Sequence, residues 1–179
     1  MSMELNAAID IETLDRAPTA VVLSIGCAVF NRAGGILGTF HRVLSKLEQH
    51  RVGRTVGVDT LAWWKEQDEQ ARVLLTTPGD SVSGALHDLR HFLDSHAVAG
   101  VYGYGADFDN ATVRSLAQTF GVDEPWHYRK NRCGRTVVAL AGDRIALPER
   151  VGTHHNALDD AIFQARHIAA ALNALNTEN

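Results

Sequence analysis

Ala7-Ala8-Ile9-Asp10-Ile11-Glu12-Thr13-Leu14 is the stretch whose reading decides the fold. Its eight residues alternate loosely between apolar and polar and fit a strand in length. Side chains on a strand repeat every second residue, so Asp10 and Glu12 share one face and Ile9 and Ile11 the other. One face of a strand that packs on apolar neighbours thus carries two acids. Burying two like charges is costly unless a cation neutralises them. An edge strand with solvated acids is the other reading of the same residues.

Downstream, Ala20 to Phe30 (AVVLSIGCAVF) is nearly continuous and β-branched, as in a buried strand. Gly34-Gly35 marks a hairpin turn and Ile36 to Leu44 a third strand. The period then changes. Asp59 or Thr60 can cap a helix carrying Leu61, Trp64, Ala71 and Leu75, and Ser83 to His96 repeats the pattern with Leu86, Leu89 and Leu93. Ala97 to Tyr104 reads as a strand and Asn110 to Phe120 as a helix. Val137 to Leu147 fits either state. A final helix runs from about Asn156 to Leu175, with Leu158, Ile162, Ala165, Ala169, Leu172 and Leu175 on one face. Antiparallel strands followed by strand–helix alternation predict an α/β domain, a mixed sheet covered by helices on both faces.

Composition bounds the function. The chain has 179 residues, 45% of them hydrophobic and 21% charged, with 15 Gly and 4 Pro, which excludes disordered and collagen-like classes. We expect one domain over residues 1–179. No run approaches the ~18 apolar residues of a membrane helix, and the N-terminus lacks the basic and apolar regions of a signal peptide. Two cysteines, Cys27 and Cys133, cannot build a disulfide framework. The expectation is a cytoplasmic protein. A net charge of −4 offers no general attraction to polyanions, but clustered acids that hold cations would supply it locally.

Two further groups of acids fall at element ends. Asp109 opens the helix after the AVAGVYGY strand, where an Asp is a common cap and where ligands gather in open α/β sheets. His154-His155-Asn156-Ala157-Leu158-Asp159-Asp160 heads the terminal helix. Asp159 and Asp160 lie ~100° apart around it, so one of them can face a shared site, and Asp160 lies nearer the buried stripe. Asp10, Glu12, Asp109 and Asp160 could together hold two divalent cations with oxygen ligands, while His155 accepts a proton from water.

Asp10-Ile11-Glu12-Thr13, then Phe108-Asp109, then His155-x4-Asp160 resembles the three-motif pattern of the DEDDh 3′–5′ exonucleases, in the ribonuclease T and polymerase-proofreading superfamily. With Thr60-Leu61-Ala62-Trp63-Trp64 and Arg132-Cys133-Gly134-Arg135-Thr136, the chain is similar to a compact phage and mycobacterial branch of exoribonucleases. The resemblance spans nearly the whole chain and implies a ribonuclease H-like fold. It implies that Asp10, Glu12, Asp109 and Asp160 hold two Mg2+ or Mn2+ ions, with Asp10 bridging both, and that His155 is the general base. It also implies that Thr13 and Leu14 contact the terminal nucleotide. Tyr104 stands where the family usually has an Asn that is not a metal ligand.

Trp64 shares a helix face with Leu61 and Leu75 and reads as core, while Trp63 is turned ~100° away and reads either as a stack for a base or as a half-buried surface aromatic. Arg129, Lys130, Arg132 and Arg135 form a basic run that either tracks phosphates or is a solvated loop. His87 and His91 are four apart on a helix without a third ligand, which argues against zinc. The substrate expected is the 3′ end of single-stranded nucleic acid, RNA favoured over DNA, and the resemblance implies a homodimer. A ribonuclease H-type endonuclease, or a binding module whose catalytic set has decayed, are the competing readings.

Overall fold

A computed structural model describes residues 4–176; residues 1–3, part of the stretch inspected for a signal sequence, lie outside them. The strands are β1 (Asn6–Thr13), β2 (Val22–Phe30), β3 (Ile36–Val43), β4 (Gly100–Gly103) and β5 (Asn131–Cys133). They form one sheet in the order β3-β2-β1-β4-β5. The β1–β2 and β2–β3 pairs are antiparallel, whereas β1–β4 and β4–β5 are parallel. The expected mixed sheet is therefore present, with β1 at its centre.

Helices cover both faces. They are α1 (Lys46–Arg51), α2 (Val58–Glu66), α3 (Glu69–Thr76), α4 (Val82–Ser95), α5 (Asp109–Phe120), α6 (Gly134–Ala141) and α7 (Ala157–Asn176). Ala7, Ile9 and Ile11 of β1 pack with Leu86, Leu89 and Leu93 of α4 and with Val113 and Leu116 of α5. Each of those leucines is fully buried, a gain of about 1.5–3 kcal/mol over exposure. On the opposite face Ala8, Ala28, Phe30 and Tyr102 meet Ala161, Ala165, Ile168 and Ala169 of α7. Strand parity places Asp10 and Glu12 on this second face, continuing from Ala8 toward the head of α7.

Several boundaries differ from the sequence reading, each for a local reason. The helix expected from Asp59 to Leu75 is two helices, because Gln67 is extended and Asp68 starts a new one by accepting from the Ala71 N–H at 2.8 Å. The strand expected over 97–104 is confined to four residues, since it pairs only with Asn6–Ile9 of β1 and Asn131–Cys133 of β5. The ambiguous segment over 137–147 is the end of α6, a 3-10 turn over Gly142–Arg144 and then loop. Asn156 is the cap of α7 rather than its first residue: its Oδ1 accepts from the Leu158 and Asp159 N–H groups at 3.1 and 3.2 Å. The Gly34 turn adopts φ +82°, which glycine takes without strain.

Candidate active site

Four carboxylates and one imidazole converge on the end of β1. Asp10 and Glu12 are supplied by the strand itself, Asp109 by the first residue of α5, and Asp160 by the first turn of α7. Two glycines make the approach feasible. A β-carbon on Gly103 would stand 2.9 Å from Cβ of Asp109, so the end of β4 must be bare for α5 to start there. A β-carbon on Gly26, which faces Asp10 across the β1–β2 ladder, would stand 2.1 Å from the Ala157 carbonyl group. The missing side chain lets the head of α7 rest on the sheet.

The register of the last motif is now decided. Asp160 is buried and faces the acids on β1, with its Oδ2 accepting from the His155 N–H at 3.1 Å. Asp159 points the other way and accepts from the Thr153 N–H at 2.8 Å, holding the loop that presents His155. That loop passes so close that a β-carbon on Gly152 (φ +98°) would meet the Asp159 carboxylate. Likewise Asp109 is buried while Asp107 is exposed.

Burial and proximity set the electrostatics of the acids. Withdrawal from water raises Asp10 well above the ordinary carboxylate range, and Asp109, Glu12 and Asp160 raise it further. Burial, then Asp160 and Asp109, pushes Glu12 up to about 8. Burial pushes Asp109 up to about 7, opposed by backbone hydrogen bonds. Such a cluster resists full ionisation by itself and is stabilised by cations. Ligand atoms of Glu12, His155 and Asp160 lie within 4.8 Å of one another, close enough for one ion. The donor set, mostly carboxylate oxygen with one imidazole, suits Mg2+ or Mn2+.

His155 sits at φ +60°, its ring 4.7 Å edge-on from Trp63 and 6.4 Å from Trp64. Partial burial lowers its pKa, which keeps the ring neutral and basic near neutral pH. Trp64 is fully buried and donates from Nε1 to the Thr13 carbonyl at 2.8 Å, as expected for a core residue. Trp63 is 39% exposed and lines a cavity of about 470 Å³ beside the acids, together with Glu12, Thr13, Thr60 and Phe108. Leu14 does not join that wall. It is buried with Val21, Leu23, Trp64 and Ala71, behind Trp64.

Some neighbours of the site carried no sequence signal. Arg150 forms an ion pair with Asp160 and its guanidinium lies 4.3 Å over the Phe163 ring. Gln164 donates from Nε2 to Asp10 Oδ1 at 2.7 Å. Four-residue spacing from Asp160 along α7 was the clue available for Gln164; nothing in the sequence distinguished Arg150 from other loop arginines. Of the basic run, Arg129 is exposed, Lys130 is half-buried, and Arg132 bonds the Arg129 and Asn131 carbonyls. Arg135 lies 6.0 Å from the Tyr104 ring, and the Tyr104 hydroxyl hydrogen-bonds His167 Nδ1 at 3.2 Å.

Residues 5–172 match the family model of the 3′–5′ exoribonuclease Rv2179c-like domain. The chain belongs to that family. It is a 3′–5′ exonuclease domain with the ribonuclease H-like architecture that its motifs implied. Solved structures agree in fold. The nuclease domain of 3′hExo, a DEDDh family member bound to rAMP, aligns with TM-score 0.67 at 12% identity, over 96% of this chain and 93% of that one. Exonuclease I in a product-bound form aligns with TM-score 0.64 at 12% identity, over 98% of this chain and 44% of that one. E. coli exonuclease I in complex with a dA16 oligonucleotide gives 0.64 at 12% identity, over 96% and 41%. This exoribonuclease domain thus spans less than half of the exonuclease I chains. A search of curated protein sequences gives no match. Among the described residues no helix is long and apolar enough to cross a membrane.

Proposed function

We propose that Asp10, Glu12, Asp109 and Asp160 hold two divalent cations, Mg2+ or Mn2+, and that the site removes nucleoside 5′-monophosphates from the 3′ end of single-stranded RNA. The observation that carries this reading is the gathering of Glu12, His155 and Asp160 within 4.8 Å of one another, beside Asp10 and Asp109, whose pKa values burial raises. The cations, when bound, supply the positive charge that offsets the phosphoryl oxygens and the departing 3′-oxygen.

The chain's own residues do the rest. His155, neutral at pH 7, takes the proton of the water that attacks phosphorus as the bond to the 3′-oxygen breaks. Its ring is aimed by the Trp63 edge and by the Asp160 carboxylate on its own backbone N–H. Trp63 and Thr13 form the wall against which the terminal nucleotide rests, and Leu14 supports that wall through Trp64. Stacking on Trp63 suits any base, as trimming without sequence preference requires.

RNA is favoured because of the family, and the rAMP and dA16 ligands of the structural neighbours support single-stranded ends of either sugar. The reading includes action in the cytoplasm, which two free cysteines suit, and a homodimer, which sedimentation velocity tests. The test of function is a ladder assay on 5′-labelled single-stranded RNA and DNA, in Mn2+ or in EDTA, with Asp10→Asn and 3′-phosphate-blocked controls. Metal-dependent shortening from the 3′ end, lost in the variant and slowed by the block, is the expected result. Internal cleavage indifferent to the block would replace the exonuclease by an endonuclease.

A further inference from the structure

Two of the carboxylates at the cation site, Asp160 and Asp10, have side-chain partners that are not acids, and the two partners differ in kind. Asp160 is held by the Arg150 guanidinium, a full positive charge. Asp10 is held by the Gln164 side-chain amide, a neutral donor 2.7 Å away. A carboxylate only accepts, so the amide nitrogen must face Asp10 and the amide oxygen must point elsewhere. That oxygen, Gln164 Oε1, is buried and is one of the few buried side-chain acceptors among the described residues that receive no hydrogen bond. An unmet buried acceptor is costly, and a polar site tolerates one when a further donor completes it.

We propose that Gln164 is a positioning residue for the reaction. Its amide pins one oxygen of Asp10 and would leave the other free to hold a cation, while its buried Oε1 remains open to a further donor. This inference rests on the two-cation reading above. Two features of the chain support it. Gln164 lies four residues beyond Asp160, so one face of α7 carries both the last acid and the clamp on the first. And a neutral amide restrains Asp10 without bringing a positive charge that would compete with the ion, which a lysine or arginine at the same place would do.

The test is calorimetric titration of Mn2+ into wild type, Q164M and Q164A, with steady-state kinetics on a short RNA. Partners of this kind affect metal affinity or activity by about ten- to a hundred-fold when removed. The expected result is a Mn2+ dissociation constant raised by that factor in Q164M, and a comparable loss in kcat with KM within about twofold. Circular dichroism and melting in EDTA report whether each variant is folded. A second measurement needs no variant to be active: in wild type the Gln164 side-chain amide protons, assigned by their loss in either variant, should exchange more slowly than those of exposed Gln118 and shift on adding Mg2+. Folded Q164M that binds Mn2+ and turns over like wild type would overturn the role of Gln164 alone. So would Gln164 amide protons that exchange at the rate of Gln118. Wild type that binds no Mn2+ would overturn the two-cation reading and this inference with it.

Discussion

Gly26 and Ala157 meet backbone to backbone, such that a β-carbon on Gly26 would stand 2.1 Å from the Ala157 carbonyl carbon and oxygen. No side-chain rotation relieves that overlap, because both partners are main chain. Gly26→Ala should therefore push the head of α7 off the sheet, carrying Asp160 and His155 away from Asp10 and Glu12. Overpacking of this kind costs about 1–3 kcal/mol. Urea denaturation should show that loss, and Mn2+ affinity should fall with it. A variant of wild-type stability and affinity would mean that α7 can shift without consequence.

The carboxylates and the histidine should separate into two classes by measurement. Asp10→Asn removes an acid from the cluster and should abolish both tight Mn2+ binding and turnover. His155→Ala removes a base and should lower kcat by about a hundred- to ten-thousandfold. Most of the Mn2+ affinity should remain in His155→Ala, since four carboxylates are left. Calorimetry beside single-turnover kinetics distinguishes the two.

Much of this site was legible because strand and helix periods are local properties. Asp10 and Glu12 share a face because two is the period of β1, and Asp160 was separable from Asp159 by the pitch of α7. What was not legible depends on distant partners. Gly26 matters through Ala157, which has no local signature, and Gln164 through Asp10, to which its spacing from Asp160 gives only an indirect clue. The three residues of β5 are too few for a pattern and form a strand only because β4 lies beside them. Leu14, read through the family as touching the nucleotide, packs in the apolar cluster that also takes Trp64, a placement that depends on distant partners.

Without cations the protein should lose stability as the solution is made more basic. Burial, with Asp160 and Asp109 adding to it, raises Glu12 from 4.5 to about 8, and burial raises Asp109 from 3.8 to about 7. A carboxyl whose folded pKa lies above its unfolded one favours folding less and less as pH climbs from the unfolded value through the folded one. His155, His41 and His167 are lowered and act in the opposite sense, but their effect is complete above their unfolded value of 6.5. Melting in EDTA should therefore fall between about pH 7 and pH 8.5. Saturating Mn2+ should remove that slope, because the cation neutralises the ionised cluster. A flat profile in EDTA would show that burial does not raise these carboxyls.

The adjacent tryptophans should behave as opposites. Trp64 is fully buried with its indole N–H bonded to Thr13, so Trp64→Ala should cost about 3–5 kcal/mol in stability. Trp63 is partly exposed on the cavity wall, so Trp63→Ala should change stability little. It should instead raise KM for short RNA by about ten- to a hundredfold, the equivalent of one base stack. Chemical denaturation and initial rates on the same two variants check both halves.

The hydrogen bond between Gln164 and Asp10 joins positions 154 apart, and the acids it helps to gather come from strand β1 near one end of the chain and helix α7 near the other. A chain in which α7 has not yet settled over Gly26 would carry Asp10 and Glu12 without Asp160 and His155, so completing the site is tied to the packing of distant segments.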